Sequence, residues 1–541
     1  MSEEIFPAVA SGRVTIVVPV YGDWSSLKSC VQSVIEHADP AQFDVLLVND
    51  NGPDADEIEA GLRGLIYGHA NIRYERNSTN LGFVQTCNRA VYDLDRSGNN
   101  VLLLNSDTRL TAGALQEMQA VLDLSPHHGA VCPRSNDATI ATIPFFRRQA
   151  NEPRSAERSI DVYTNTVSRL PRYYISPVAV GFCLLIRRSL IDEFGLFDEI
   201  FGKGYSEEND FCLRVNAFGY SSLIANHAFV YHEGSSSFGS AERARLDEAH
   251  SVIVRERYPH YPASVVSFIH HDYSATDRFA DLLSPHSDDL TRTVLIDLRD
   301  LDEPTGHEAS RIAADLTAIA NANANANANS TSMTTTITVA TRFPTIGNLE
   351  LSSVGLQTID PDRIEQVFDV GVALSLITSC AQLATFNRHC LRWLVMAREL
   401  EHLRSWATRA AHPAASVAAR LTLKHANVVL WESPEICSET ERFFAIDSDA
   451  SDSAISKKST ASTADIAREL HNLINRSSHE TDSKRLEKRN QEIGDIVKVD
   501  SAARHEQERT TVASIESSGA YQFSRKISKL VAPLRRLVRR R

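Results

Sequence analysis

Two groups of acidic and amide side chains in this 541-residue chain could do chemistry. The first is Asn105-Ser106-Asp107, whose oxygens are of the hard kind that binds a divalent cation acting as a Lewis acid. The second is Glu207-Glu208-Asn209-Asp210, in which neighbouring carboxylates raise one another's proton affinity and so favour a general base. Each group also has a structural explanation, because turns use Asn and Asp for local hydrogen bonds and acids complement the dipole at a helix start.

Two other polar residues depend on their neighbours for a role. His232 follows an apolar run and precedes Glu233. A lone histidine at a strand end is commonly just solvated, so interpreting His232 as a metal ligand requires Asp107 nearby. Asp210 and Arg214 have i,i+4 spacing on a predicted helix, which favours an orienting pair over a reacting one.

The elements that must position these side chains alternate between strand and helix. Continuous apolar runs over residues 14–20, 44–48 and 100–104 are typical of strands buried on both faces, and helical spacing follows them. This alternation predicts an α/β fold with a Rossmann-like, mixed but mostly parallel sheet. Asp50 and Asp107 directly follow strands, at the carboxyl edge where such sheets bind ligands.

A change in composition near residue 262 divides the chain into four predicted parts. They are a domain over 1–262, a linker over 263–291, a second α/β domain over 292–446, and a charged, low-order segment over 447–541 that ends in a disordered or helical basic tail.

Within the second half, three stretches carry local predictions. The strict Asn-Ala alternation over 321–329 offers little to bury and predicts a flexible linker or loop insertion. Residues 368–411 are predicted to be strongly helical, and 428–431 a strand.

Charge and cysteine content constrain location and partners. The formal net charge of −13 argues against general nucleic-acid binding, and the eight scattered cysteines without a CxxC pair indicate a reducing cytoplasm. In the basic tail, residues 525–541, apolar residues recur at helical spacing, which predicts contact with an anionic membrane surface; a solvated disordered tail is the alternative. The expected location is cytoplasmic, with peripheral contact at the inner face of the plasma membrane.

Taken together, the motifs over about residues 13–238 resemble the family 2 glycosyltransferases of GT-A fold, of the rhamnosyltransferase kind. The matching segments are Val17-Val18-Pro19-Val20-Tyr21, Val48-Asn49-Asp50, Asn80-Leu81-Gly82-Phe83, Leu104-Asn105-Ser106-Asp107-Thr108, Val180-Gly181-Phe182-Cys183, the stretch Phe201 to Arg214, and His232.

This resemblance implies a role for each matched residue. The nucleoside pocket would be lined by Pro19, Tyr21 and Asp50, and the donor site bordered by Asn80 and Gly82. Asn105 replaces the first acid of the family's DxD motif. Asp107 would bind the metal, joined by His232, and Glu208 would be the base, with Glu207 the alternative because aspartate is commoner at this position.

The activity implied is inverting, metal-dependent transfer of a hexose or deoxyhexose. The donor would be a UDP- or dTDP-sugar, the cofactor Mg²⁺ or Mn²⁺, and the acceptor a hydroxyl of a growing cell-surface polysaccharide or lipid-linked glycan, with partner glycosyltransferases. Two other readings are a non-catalytic glycan-assembly scaffold that retains the fold, and a sugar nucleotidyltransferase. The latter would carry a Gly-rich, basic loop after the first strand, which Val20-Tyr21-Gly22-Asp23 does not supply.

Residues 292–431 faintly resemble the N-terminal half of a GT-B glycosyltransferase. The sequence shows no second Rossmann unit with a donor-binding carboxylate pair after them. This half is therefore expected to be an assembly module or an acceptor-side relic.

Overall fold

The chain folds into two compact units, Met1–Leu290 with Glu365–Val367 and Thr291–Ile364 with Phe368–Arg541. The structure is a computed structural model, and it describes residues 12–149, 155–234, 240–284, 291–301, 303–330, 334–377, 379–397, 413–433, 436, 456–459, 463–474 and 484–494.

The first unit is built on a nine-stranded sheet. Its strands are β1 (Val14–Val20), β2 (Phe43–Asn49), β3 (Ile72–Arg76), β4 (Asn100–Leu104), β5 (Thr108–Leu110), β6 (His128–Arg134), β7 (Tyr173–Ser176), β8 (Cys183–Ile186) and β9 (Ser221–His232). The helices are α1 (Trp24–His37), α2 (Ala55–Leu65), α3 (Phe83–Arg89), α4 (Ala114–Asp123), α5 (Ala156–Thr166), α6 (Arg188–Phe194), α7 (Glu207–Asn216), α8 (Ser240–Arg257), α9 (Tyr261–Ser267), α10 (Ala275–Arg278) and α11 (Ala280–Leu283).

The strand order is β3-β2-β1-β4-β8-β6-β9-β5, with β7 paired to β9. β1 is parallel to both β2 and β4, whereas β8 is antiparallel to β4 and β6. Every residue of β2 is buried, which is why its run is continuously apolar rather than alternating. The mixed, mostly parallel sheet predicted from the sequence is confirmed.

Residues 263–283 differ from the predicted linker. They lie in helices α9 to α11, and Tyr273, Asp277 and Arg278 are at most 1% exposed. Arg134 of β6 forms a buried ion pair with Asp277 at 2.5 Å. Charged residues in a polar stretch usually indicate solvent exposure, but Asp277 is buried because Arg134, far along the chain, pairs with it. The Arg278 guanidinium donates to the carbonyls of Ile269 and His270.

The second unit contains a seven-stranded, all-parallel sheet in the order β14-β11-β10-β15-β16-β17-β18. Its strands are β10 (Thr291–Asp297), β11 (Thr334–Ala340), the small pair β12 (Thr345–Ile346) and β13 (Leu349–Glu350), then β14 (Gln357–Ile359), β15 (Phe368–Ala373), β16 (Cys390–Ala397), β17 (Val428–Trp431) and β18 (Ser456–Ser459). The helices are α12 (His307–Asn329), α13 (Cys380–His389), α14 (Pro413–His425), α15 (Thr463–Ile474) and α16 over residues 484–494.

The Asn-Ala alternation does not form a flexible linker, because it is the C-terminal part of α12. Residues two apart lie on nearly opposite sides of a helix, so an asparagine at every second position forms separate rows along it. Asn323 and Asn327 form one row, and both amides donate to the Thr335 carbonyl at 3.0 Å. The Thr335 N–H donates in return to Asn327 Oδ1 at 2.8 Å, so the repeat is held by strand β11.

The prediction that residues 368–411 are strongly helical is also wrong for the described part, 368–377 and 379–397. Strands β15 and β16 lie on either side of the short helix α13. Both strands are fully buried, and a buried strand cannot be distinguished from a buried helix by apolar content alone.

Part of the segment predicted as low-order, 447–541, is ordered structure. Strand β18 pairs with β17, and Ile466, Leu470 and Leu473 of α15 join the core of the second unit. Their i, i+4, i+7 spacing buries one face of an otherwise charged helix. The basic tail, 525–541, lies outside the described residues. Among the helices that are described, none combines the length and apolar character needed to span a bilayer.

Candidate functional site

A cavity of about 570 Å³ lies at the carboxyl edge of the sheet in the first unit. All residues predicted for the site line it: Pro19, Tyr21, Asp50, Asn80, Gly82, Asn105, Asp107, Glu207, Glu208 and His232. Residues that are far apart in sequence therefore meet around one space large enough for a small-molecule ligand.

Asp50, directly after β2, is 5% exposed and shapes the wall of the cavity. Its Oδ1 accepts hydrogen bonds from Leu81 N at 2.8 Å and Asn77 Nδ2 at 2.7 Å, and its Oδ2 accepts one from Gly82 N at 2.9 Å. Asn80 Oδ1 also accepts from Gly82 N, at 3.0 Å. The carboxylate thus fixes the 81–82 backbone as well as facing the cavity.

Asp107 and His232 meet because strands β5 and β9 are antiparallel neighbours. His232 Nε2 lies 3.5 Å from Asp107 Oδ1, while His232 Nδ1 donates to the Asp137 carbonyl at 2.6 Å. The ring of Phe182 stacks on the imidazole with centroids 5.2 Å apart. Burial alone would lower the pKa of His232, but the adjacent Asp107 carboxylate outweighs it and raises that pKa.

The Asp107 carboxylate oxygen and His232 Nε2 are both atoms that can coordinate a divalent cation. An Nδ1–H bonded to a backbone carbonyl leaves Nε2 as the ligating nitrogen, the arrangement usual for metal-bound histidine. Within the described residues, no group of three or more His, Cys, Asp or Glu side chains could enclose a metal by itself. Asp107 and His232 would therefore need oxygens from a bound diphosphate to complete the coordination of a hard cation.

Glu207 and Glu208 begin helix α7 but have different surroundings. Glu207 is 6% exposed, and its Oε2 has no hydrogen-bond partner among the described residues. Burial, and then the charge of Glu208, raise the pKa of Glu207 well above its usual value. Both causes favour the neutral form of the Glu207 carboxyl.

Glu208 is partly exposed and lies over the backbone of Gly181, where a Cβ atom would come within 3.0 Å of the Glu208 Cγ. Burial raises the pKa of Glu208 to about 7, helped by the negative charge of Asp247 and opposed by backbone N–H groups of α7. A carboxylate that titrates near neutrality is suited to act as a general base.

Asp210 is turned away from the cavity and paired. Its carboxylate accepts from Arg257 at 2.7 Å and lies 3.4 Å from Arg214, so the predicted orienting role with Arg214 includes a second arginine. The helices after β9 also supply cavity residues that could not be expected from sequence alone. These are Asp247 of α8 and Tyr261 and Val265 of α9, of which Tyr261 donates to Asn209 Oδ1 at 3.2 Å.

The family model described as "Glycosyl transferase family 2" matches residues 15–195. Residues 15–195 of the first unit are thus similar to the family 2 glycosyltransferases. The predicted resemblance is thereby confirmed for this part of the chain. The match ends before α7, so the assignment of Glu207 and Glu208 does not come from it.

Several known proteins are similar to part of the chain. The N-acetylglucosaminyl-diphospho-decaprenol L-rhamnosyltransferase of Mycobacterium tuberculosis is 24% identical over 225 residues, covering 38% of this chain and 71% of that protein. A mannosyltransferase of Pyrobaculum calidifontis solved with GDP-Man and Mn²⁺ is 15% identical, covering 51% of this chain and 73% of that one with a TM-score of 0.35. TarS of S. aureus, solved with UDP-GlcNAc, is 16% identical, covering 50% of this chain and 73% of that one with a TM-score of 0.32.

Proposed function

We propose that the chain is an inverting glycosyltransferase. It moves a hexose or deoxyhexose from a UDP- or dTDP-sugar to a hydroxyl of a growing cell-surface polysaccharide or lipid-linked glycan. The observation that carries the proposal is that Asp107 and Glu208, about a hundred residues apart in sequence, line one cavity together with the residues predicted to bind the donor. The choice of acceptor is supported by the similarity to a rhamnosyltransferase whose name describes a decaprenol-linked sugar as its acceptor.

In this mechanism the acceptor hydroxyl loses its proton to a Glu208 carboxylate oxygen. The hydroxyl oxygen attacks the anomeric carbon from the face opposite the nucleotide, and the bond from that carbon to the diphosphate breaks. The nucleoside diphosphate leaves, and the anomeric configuration inverts. Because Glu207 is almost fully buried and Glu208 is partly exposed, Glu208 is the carboxylate of the pair that an acceptor can reach.

The other cavity residues bind and orient the donor. Asp50 holds the 81–82 backbone, which borders the donor together with Pro19 and Tyr21. A divalent cation held by Asp107 and His232 would neutralise charge on the departing diphosphate.

The test is metal-dependent release of nucleoside diphosphate from a panel of UDP-, dTDP- and GDP-sugars, with and without glycan acceptors. Wild-type protein should turn over at least one donor with Mg²⁺ or Mn²⁺, and Asp107→Ala and Glu208→Gln should not. Glu193→Gln is the matched control, because Glu193 is an exposed acid on α6 that does not line the cavity. Donor binding without turnover by any form would instead support the glycan-assembly scaffold.

A further inference from the structure

The turn that precedes Glu207 and Glu208 has an unusual backbone. Gly204, Tyr205 and Ser206 have φ angles of 111°, 72° and 73°, so two consecutive side-chain-bearing residues are in the left-handed region. Such conformations cost free energy, and they persist only where surrounding contacts enforce them. Since Ser206 is the N-cap of α7, this turn decides where both carboxylates point.

One side of the turn is held by the loop that Asp50 fixes. Val84 N donates to the Gly202 carbonyl at 3.3 Å, and Gly204 lies against the ring of Phe83. A Cβ atom on Gly82 would lie 3.3 Å from the same Gly202 oxygen, so the two loops are in close contact.

The other side is held by a histidine from α8, His250. Its Nδ1 lies 2.9 Å from the Gly204 carbonyl and 3.0 Å from the Tyr205 carbonyl. Both partners are acceptors, so Nδ1 must carry the hydrogen and donate to the two oxygens. The imidazole is 9% exposed and meets the ring of Phe201 edge-on, with centroids 5.5 Å apart.

We propose that His250 is a positioning residue that holds the Gly204–Ser206 turn and thereby aims Glu208 at the acceptor hydroxyl. The proposal rests on the function proposed above. His250 does not touch the reacting atoms in this arrangement. It acts through the two carbonyls, whose direction fixes the backbone from which α7 starts.

Three substitutions separate the hydrogen bond from the bulk of the ring. In His250→Asn the amide nitrogen can take the place of Nδ1, whereas in His250→Gln it reaches the place of Nε2. His250→Phe keeps the contact with Phe201 but has no donor. If the turn relaxes, Glu208 moves, and misplacing a catalytic group by about 1 Å can cost about a hundredfold in rate.

We expect His250→Gln and His250→Phe to lower kcat about 10- to 100-fold while the donor Kd changes less than about twofold. His250→Asn should stay within about threefold of wild type, because one well-placed donor replaces another. Equal kcat values for the Asn and Gln variants, or a loss of donor affinity that matches the loss of kcat, would overturn the proposal.

A second readout does not depend on activity. Lys203 is exposed within the turn, so trypsin can report its opening by the fragment that ends at Lys203. Its appearance should be faster in the Gln and Phe variants than in wild type and the Asn variant, and Lys203→Gln identifies the band by abolishing it. Equal rates in all forms would show that His250 does not hold the turn. If wild type turns over no donor, the proposed function fails, and proteolysis still decides whether His250 holds the turn.

Discussion

The two units use an acid at the carboxyl edge of a largely parallel sheet in opposite ways. In the first unit Glu208 lines an open cavity, and neither it nor Glu207 forms an ion pair with any described residue. In the second unit Asp297 ends β10, between β11 and β15, where doubly wound sheets commonly bind ligands. There, however, both Asp297 oxygens lie within 3.1 Å of Arg299 Nε.

The comparison shows that a position in the fold does not by itself create a reactive group. Asp297 is 1% exposed, and although burial raises its pKa, the charge of Arg299 opposes that rise and holds the carboxylate in a structural pair. Glu208 is partly exposed, and burial raises its pKa without a cation among the described residues to oppose that rise. The neighbouring charge is what distinguishes the proposed catalytic acid from the structural one.

The largest effect that would test this distinction is expected for Glu208→Gln. Loss of the general base should lower kcat about 10²- to 10⁴-fold with little change in donor affinity. Glu207→Gln should lower kcat less than about tenfold, because burial favours the neutral form of Glu207 and glutamine is a neutral side chain of similar shape. Steady-state rates and separately measured donor Kd values for the two variants check both predictions. Equal losses in the two variants would remove the assignment of Glu208.

The next largest effect is expected for Asp107→Ala, which removes one of two residues able to hold the cation. Affinity for Mn²⁺ in the presence of nucleoside diphosphate should fall at least about 10- to 100-fold, as measured by calorimetry. Glu193→Ala is the control for loss of an acid, since Glu193 is exposed on α6 and does not line the cavity. Unchanged Mn²⁺ binding in Asp107→Ala would contradict the proposed metal site.

A smaller effect is expected on the pH profile. The base acts when deprotonated, so kcat should fall as the pH drops below about 7, near the pKa of Glu208. Asp247→Asn should move this midpoint to lower pH, because a negative charge that raises the pKa is removed. The shift should be less than about one unit, since Asp247 is exposed and water screens its charge. A midpoint that moves upward would show that Asp247 does not act on Glu208.

The same glutamates should also affect stability in a defined direction. Their pKa values in the folded chain lie above the ordinary value of 4.5, so the folded state binds more protons than the unfolded state above pH 4.5. Stability must therefore fall as pH rises through that range. Glu207→Gln should raise Tm at pH 8 and change it little at pH 4. A lower Tm at pH 8 would mean that the buried carboxylate has a stabilising partner.

The smallest effect on turnover is expected for Asp297→Ala, which belongs to the second unit. Leaving the largely buried Arg299 without its carboxylate should destabilise this unit by up to about 3 kcal/mol, while kcat stays within twofold of wild type at a permissive temperature. Thermal unfolding and turnover measured on the same preparation check both. A large loss of kcat in a folded sample would show that Asp297 has more than a structural role.

The sequence allowed much of the site to be predicted because its residues follow strands or begin a helix. Asp50 comes directly after the buried apolar run of β2, Asp107 lies three residues after the end of β4, and the carboxyl ends of such strands converge. Asp247, His250 and Tyr261 could not be found in this way. They lie on polar helices after β9, and only tertiary packing brings those helices to the cavity.

The second unit was harder to predict for a related reason. Strands β15 and β16 are buried on both faces and so lack the alternation that marks a half-exposed strand. In the first unit, the ion pair of Arg134 and Asp277 could not be predicted from local sequence either, because the two residues are 143 positions apart. Both the strands and the ion pair depend on contacts between residues that are far apart in sequence.

The row of asparagine side chains on α12, Asn323 and Asn327, allows the length of that helix to vary. Inserting one more Asn-Ala pair would shift the later residues by two positions in the helix. Asparagines would still occupy the two helix positions whose amides donate to the Thr335 carbonyl. The C-terminal end of the helix, from which the chain runs on to β11, would grow by about 3 Å. A dipeptide repeat wound into a helix thus keeps the same chemistry against its strand whatever the number of copies.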